Sequence, residues 1–194
     1  MGNDEVAKTP PTPLEQLSER AKVSDEAKAL LTDRSATKEF IALLVEKELF
    51  KDALRMMAFL LPKREAIGWG CLCVRHVLAA DKDKPLPEVQ LAAERWVSAP
   101  NDDNRWAAKQ LADKEKSPTP SALLAKAVFF AGPSIVAPNL KPVPPPDQLT
   151  SEFVVNAVFI AGLVKEPDKA KEKYQVFMQK AAALMARMAQ PAKQ

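Results

Sequence analysis

The sequence predicts an all-α domain of about eight helices, packed as antiparallel pairs with a repeat-like character, crossed by a proline-rich strap and preceded by a disordered tail. Three observations carry this. Glycine occupies only 5 of 194 positions, while Ala, Leu, Lys and Glu dominate. Apolar residues recur at i, i+3 and i+4 and no strand-like alternation lasts. Cap-like Ser and Thr residues stand before several of these runs.

Residues 1–23 hold three prolines and little apolar content and are predicted to be a disordered tail. Residues 24–190 are predicted to form one domain. "SDEAKALLTD" opens on a cap-like Ser24 with acids in the first turn. "TKEFIALLVEKELF" follows, with Thr37 as its expected cap and Phe40, Leu43 and Leu44 on one face. "LFKDALRMMAFLL" reads as a separate helix after a tight corner. Pro62 then takes a first-turn position, where its missing N–H is harmless, and "PKREAIGWGCLCVRHVLAA" runs on until "DKDKPLP" breaks it. "PEVQLAAERWVSAP" places Val89, Ala92, Ala93, Trp96 and Val97 on one side. "NDDNRWAAKQLADKEK" opens at Asn101 or Asp102. "TPSALLAKAVFFAG" has Thr119 as cap, Pro120 at the first position and Gly132 as its expected stop.

Residues 132–149 hold six prolines and cannot be helical; Ile135, Val136, Leu140, Val143 and Leu149 are expected to pin this strap to the helices as a brace. A proline-rich text of this kind also suits an SH3-like groove. "TSEFVVNAVFIAGLVK" is apolar nearly all round and therefore buried. The last helix, about Asp168 to Ala189, carries Tyr174, Phe177, Ala181, Leu184, Met185 and Met188 as a stripe. Its Lys169, Lys171, Lys173, Lys180 and Arg187 suit an acidic membrane or a partner groove, but a stripe of this width suits docking on the core, with a solvated cationic face. "AVFFAG" at 127–132 returns as "AVFIAG" at 157–162, an echo short of the three copies that a solenoid needs.

The bulk properties narrow the function. Net charge is +3, pI about 8.8, with 27% charged and 47% hydrophobic residues, the values of an ordinary soluble domain with a sizeable core. No basic stripe with interleaved aromatics is present, so nucleic acid is not the expected partner. No apolar run is long enough to span a bilayer. "MGNDEVAKTPPTPLEQ" lacks the basic start and apolar run of a signal peptide, and Val6 stands where a myristoylation signal has Ser or Thr. Cys71 and Cys73, two apart on a helix, point to nearly opposite faces and fit a reducing compartment. The expected location is cytoplasmic.

The segment Pro62–Ala80 concentrates both cysteines and the single histidine. Cys73 and His76 share a helix face, but two ligands do not make a zinc site, and no metal or other cofactor is expected. A Cys–His nucleophile needs a thiolate near an exposed helix start, whereas this pair lies mid-helix among apolar residues. The reading that fits more residues is a buried central helix, with Trp69 and the cysteines filling space. Glu65 in its first turn and Arg75 and His76 in its last suit the helix dipole. Gly68 and Gly70 imply a close neighbour or room for a large ring. The alternative is a small enzyme or ligand-binding module with a pocket of Arg64, Glu65, Trp69, Arg75 and His76. Elsewhere, Trp106 beside Arg105 is a candidate interface hot spot, and "TPPTPLEQL" a free peptide handle that orders on a partner.

Three passages, "LLPKREAIGWGCLCVRHV", "WVSAPNDDNRWAAKQLA" and "AVFFAGPSIVAPNLKPVPPPDQLTSEFVVNAV", together resemble an uncharacterised bacterial family of small helical proteins found in type VI secretion gene neighbourhoods. The resemblance covers most of residues 40–185. It departs at Gly68 and Trp69, where the family has paired tryptophans, and at Gly132, Pro133 and Ser134, where it has a Gly-Gly-Ser turn. The family supplies no activity; it implies a cytoplasmic accessory or adaptor. The expected function is thus a non-enzymatic protein-binding adaptor, chaperone or assembly factor in a bacterial secretion-type machine, with another protein as partner. A structural subunit of a homo-oligomer, joined through the last helix, is the further alternative.

Overall fold

A computed structural model describes residues 12–31, 36–79 and 84–189. All regular structure among them is helical: α1 Pro13–Ala21, α2 Asp25–Lys28, α3 Thr37–Glu46, α4 Phe50–Leu60, α5 Lys63–Leu78, α6 Glu88–Ser98, α7 Asp102–Lys114, α8 Pro120–Phe130, α9 Leu149–Leu163, a 3-10 turn at Pro167–Lys169, and α10 Ala170–Met188. From α3 onward consecutive helices contact one another with antiparallel packing, as expected, while α1 packs on α4.

The cap signals operate largely where the sequence places them. Ser24 accepts a hydrogen bond from the Ala27 N–H and Thr119 from that of Ala122. Asn101, rather than Asp102, caps α7 through the Asn104 N–H. Thr37 is not a cap: it is the first helical residue, and Ala36 precedes it, its N–H donated to the Glu39 carboxylate. Pro62 likewise lies one place outside α5, as its N-cap. The corner between α3 and α4 is turned by Glu48 at a φ of 62°.

The expected tail gives way to structure at Thr12. Pro13–Ala21 is a helix whose Thr12 and Glu15 cap each other reciprocally, and Leu14, Leu17 and Ala21 are buried against α4. Arg55 on α4 donates to the Ala21 carbonyl at 3.2 Å, and Asp52 accepts from both the N–H and the hydroxyl of Ser24. The second half of "TPPTPLEQL" is therefore part of the core edge rather than a free handle; residues 1–11 lie outside the described residues. Two leucines at i and i+3 suffice because α4 presents an apolar face to receive them, which composition alone does not reveal.

Helix α9 runs through the middle, in contact with α4, α5, α8 and α10. Val154, Val155, Ala157, Val158 and Ala161 are buried on most of its circumference, the expectation for a helix apolar all round. Helix α5 lies beside it. At Gly70 an added Cβ would fall 2.5 Å from Leu124 Cδ2, so glycine there permits the close approach of α5 to α8. Trp69 and Cys73 are fully buried. In α10, Tyr174, Phe177 and Ala181 are buried, Leu184 and Met185 are half-buried against the core, and Met188 is 46% exposed: the stripe docks along most of the helix and leaves the core only in its last turn.

The strap is pinned at its two ends, as a brace, and exposed between them. Ile135, Val136 and Leu149 are half-buried, but Leu140 is 56% and Val143 44% exposed. Nor does Gly132 stop α8 with a left-handed turn, since no described glycine has positive φ. Its role is spatial: a Cβ there would lie 2.4 Å from Arg105 Cδ.

Candidate functional site

On α5 the residues Arg64, Glu65, Gly68, Cys71, Leu72 and Arg75 recur at intervals of one, three and four and so form one stripe. That stripe faces Glu94, Val97 and Ser98 of α6, with Leu184 of α10 at the rim, and together they line a groove of about 450 Å³. Its floor is apolar, and a charged group marks each end.

At the far end Arg75 meets the Glu94 carboxylate side-on: Nε donates to Oε1 at 2.9 Å and Nη2 to Oε2. Gln90, fully buried, donates from Nε2 to the same Oε1 at 2.9 Å and to the Cys71 carbonyl at 3.5 Å. Both charges at this end are spent on each other. At the near end Arg64 donates through Nε to the Val97 carbonyl at 2.8 Å. That bond engages a carbonyl in the last turn of α6 and tethers the guanidinium at its Nε. Its two Nη groups bond no other described residue, and Arg64 lines the groove. Glu65, half-buried in the first turn of α5, is compensated by the helix N-terminus.

The structure therefore brings together Arg64, Glu65 and Arg75 from the pocket expected by sequence, and separates the other two. Trp69 turns inward: its indole Nε1 donates to the Phe177 carbonyl at 2.8 Å. His76 opens on the other side, into a cavity of about 700 Å³ shared with Lys165, Glu166, Lys169, Glu172 and Lys173. Its ring stands edge-on to Phe177, with centroids 6.3 Å apart. Partial burial first, then Lys180 and Lys173, hold its pKa below the usual 6.5. The cations of that cavity already have partners: Lys169 pairs with Glu166, and the Lys173 ammonium donates to the carbonyls of Gly162, Val164, Lys165 and Glu166 where α9 ends.

The two thiols are buried and free. Burial pushes the Cys71 thiol far above its ordinary value, with Glu94 adding to the shift; burial raises Cys73 likewise. Both are thiols, not thiolates, near neutral pH, and Cys73 does not reach either cavity. No group of three or more His, Cys, Asp or Glu able to hold a metal ion occurs among the described residues.

The Arg105–Trp106 pair is not the exposed hot spot expected. Arg105 is 2% exposed. Its Nε donates to Asp102 at 2.8 Å and its Nη1 to the carbonyls of Phe129 and Ser134. The guanidinium closes the end of α8 and the base of the strap, beside the rings of Trp106 and Phe129. Trp106 is half-buried against Phe129, and its Nε1 has no hydrogen-bond partner among the described residues. An arginine in the first turn of a helix reads as surface until the chain 24 residues on supplies carbonyls for it.

Sequence reasoning missed Glu94, Val97 and Leu184. Each enters the site from a helix other than α5, and neither charge pattern nor periodicity within one helix signals such a pairing. Among the described residues no helix is long and apolar enough to cross a membrane.

One family model, described as a family of unknown function (DUF6931), matches residues 40–185. No curated protein and no solved structure matches the chain.

Proposed function

We propose that the chain, which belongs to this family of unknown function, is a non-enzymatic protein-binding adaptor whose α5–α6 groove receives a segment of a partner protein. A role as chaperone or assembly factor in a bacterial secretion-type machine, the setting implied by the resemblance of the three passages, is part of the same proposal. The observation that carries it is the state of Arg64: its Nε is tethered to the Val97 carbonyl, its Nη groups bond no other described residue, and the apolar lining of the same groove includes Leu72, 44% exposed. A tethered guanidinium next to apolar surface matches the anatomy of a protein-binding patch, where arginine is favoured. The disposition of the thiols supports the same reading, because nucleophilic chemistry needs an accessible thiolate and a base, and Cys73 is enclosed while His76 opens elsewhere.

The test is affinity capture from the native host with wild-type chain and with an Arg64→Glu/Leu72→Lys double variant, both checked for unchanged thermal unfolding. A protein held by wild type and lost from the variant is the expected result. Identical captured sets from two equally folded baits would remove the groove from consideration.

A further inference from the structure

The strap supplies a second surface, independent of the groove. Its base is locked. Arg105 Nη1 donates to the Ser134 carbonyl at 2.9 Å. The Ser134 hydroxyl accepts from the N–H of Val136 and of Val143, at 3.3 and 3.1 Å, and the Ile135 N–H donates to the Val143 carbonyl at 2.9 Å. Pro145 is buried and pins the far side. Between these points the chain is exposed from Ala137 to Pro144.

The chemistry left exposed is specific. Prolines at 142, 144, 145 and 146 have no N–H to give. The Leu140 N–H is held by the Ala137 carbonyl and that of Val143 by Ser134. Only Lys141 retains a donor, so the segment cannot be extended by a β-strand, which needs donors at alternate residues. One lysine also gives little for an electrostatic partner. What remains is a row of acceptors and apolar rings: the carbonyls of Lys141, Pro142 and Pro144 accept no hydrogen bond from another described residue, and Leu140, Pro142, Val143 and Pro144 stand in solvent. Lys141-Pro142 and Val143-Pro144 form two consecutive Xaa-Pro units, the text that aromatic-lined grooves read when they place rings against prolines and donors against carbonyls.

We propose that Leu140–Pro144 is a preformed docking peptide for a partner domain with an aromatic-lined groove and hydrogen-bond donors at its rim. Locking at Ser134 and Pro145 removes much of the ordering cost that a free peptide meets on binding.

The test uses the full chain against a panel of immobilised, isolated SH3 and WW domains as aromatic-groove probes, with Pro144→Ala, Leu140→Ser and Arg64→Glu as variants, and light scattering on the free chain. The expected result is binding by at least one domain, weakened about tenfold or more by Pro144→Ala or Leu140→Ser, as for loss of a central contact, and unchanged by Arg64→Glu. Absence of binding by every domain up to about millimolar concentration, or binding indifferent to both strap variants, overturns the proposal. So does a dimer in light scattering that Leu140→Ser dissociates, since the occupant is then a second copy. Arg64→Glu reports on the groove alone, so failure of either surface is read separately.

Discussion

The indole N–H of Trp69 on α5 donates to the carbonyl of Phe177 on α10, 108 residues away, at 2.8 Å, and both side chains are fully buried. Phe177 in turn carries the edge contacts of His76 and Tyr174. The final helix is thus held on the core by a polar bond inside an apolar contact. Trp69→Phe removes the donor and part of the ring and leaves a cavity. It is expected to destabilise the chain by about 2–4 kcal/mol, measured as a lower urea midpoint with an unchanged m-value.

Arg105 anchors α8 and the strap by geometry that lysine lacks. Arg105→Lys keeps the charge but cannot serve Asp102, Phe129 and Ser134 at once. A loss of about 2–4 kcal/mol is expected, as for a buried charge stripped of partners. The amides of Val136 and Val143 should exchange faster in the variant, because the base of the strap opens; exchange unchanged at both would contradict the clamp.

Gly70→Ala should be costly for a reason that lies on another helix. The new Cβ meets Leu124 Cδ2 at 2.5 Å, and overpacking of this kind costs about 1–3 kcal/mol. In a Leu124→Ala background the same change should cost less. A double-mutant cycle in chemical denaturation reads the difference.

Alkaline stability follows from the thiols. Burial raises the folded pKa of Cys71 and Cys73 above the ordinary value of 9.0, so the unfolded chain releases protons first. Their contribution is complete below about pH 9 and declines as pH rises beyond it. Burial pushes the Tyr174 phenol from 10.0 to about 12, which steepens the decline above about pH 10. Melting temperature measured from roughly pH 7 to 11 should be flat and then fall. Cys73→Ala should shift the whole curve by its packing loss and also make the fall shallower; a parallel curve would contradict the linkage.

Much of the architecture was legible from local signals. Ser24 and Thr119 cap because a hydroxyl three residues before an open N–H needs nothing from the rest of the chain. Helix α9 was readable as buried because its apolar residues leave no polar face. Trp69 and the thiols were readable as buried from their apolar neighbours, although α5 keeps an exposed face with Arg64, Leu72, Arg75 and His76. Three of the expected pocket residues do share a groove, since a stripe at helical spacing on α5 faces one way wherever the helix lies. The two that separated, Trp69 and His76, belong to other faces of that helix. The helical start at Thr12 was missed because what stabilises it, an apolar receiving face and Arg55, lies on α4.

By itself the sequence determined that the chain is helical, where most helices begin and end, and which of them have no solvent face. These depend on contacts three and four residues apart, which the chain carries wherever it goes. Only the tertiary structure decided that Arg105 is a buried clamp, that Arg64 is tethered through its Nε and that Leu140 faces water. The first two rest on carbonyls brought from 24 or more residues away, the third on no distant apolar surface covering that side chain, and no local pattern specifies what a distant segment will bring.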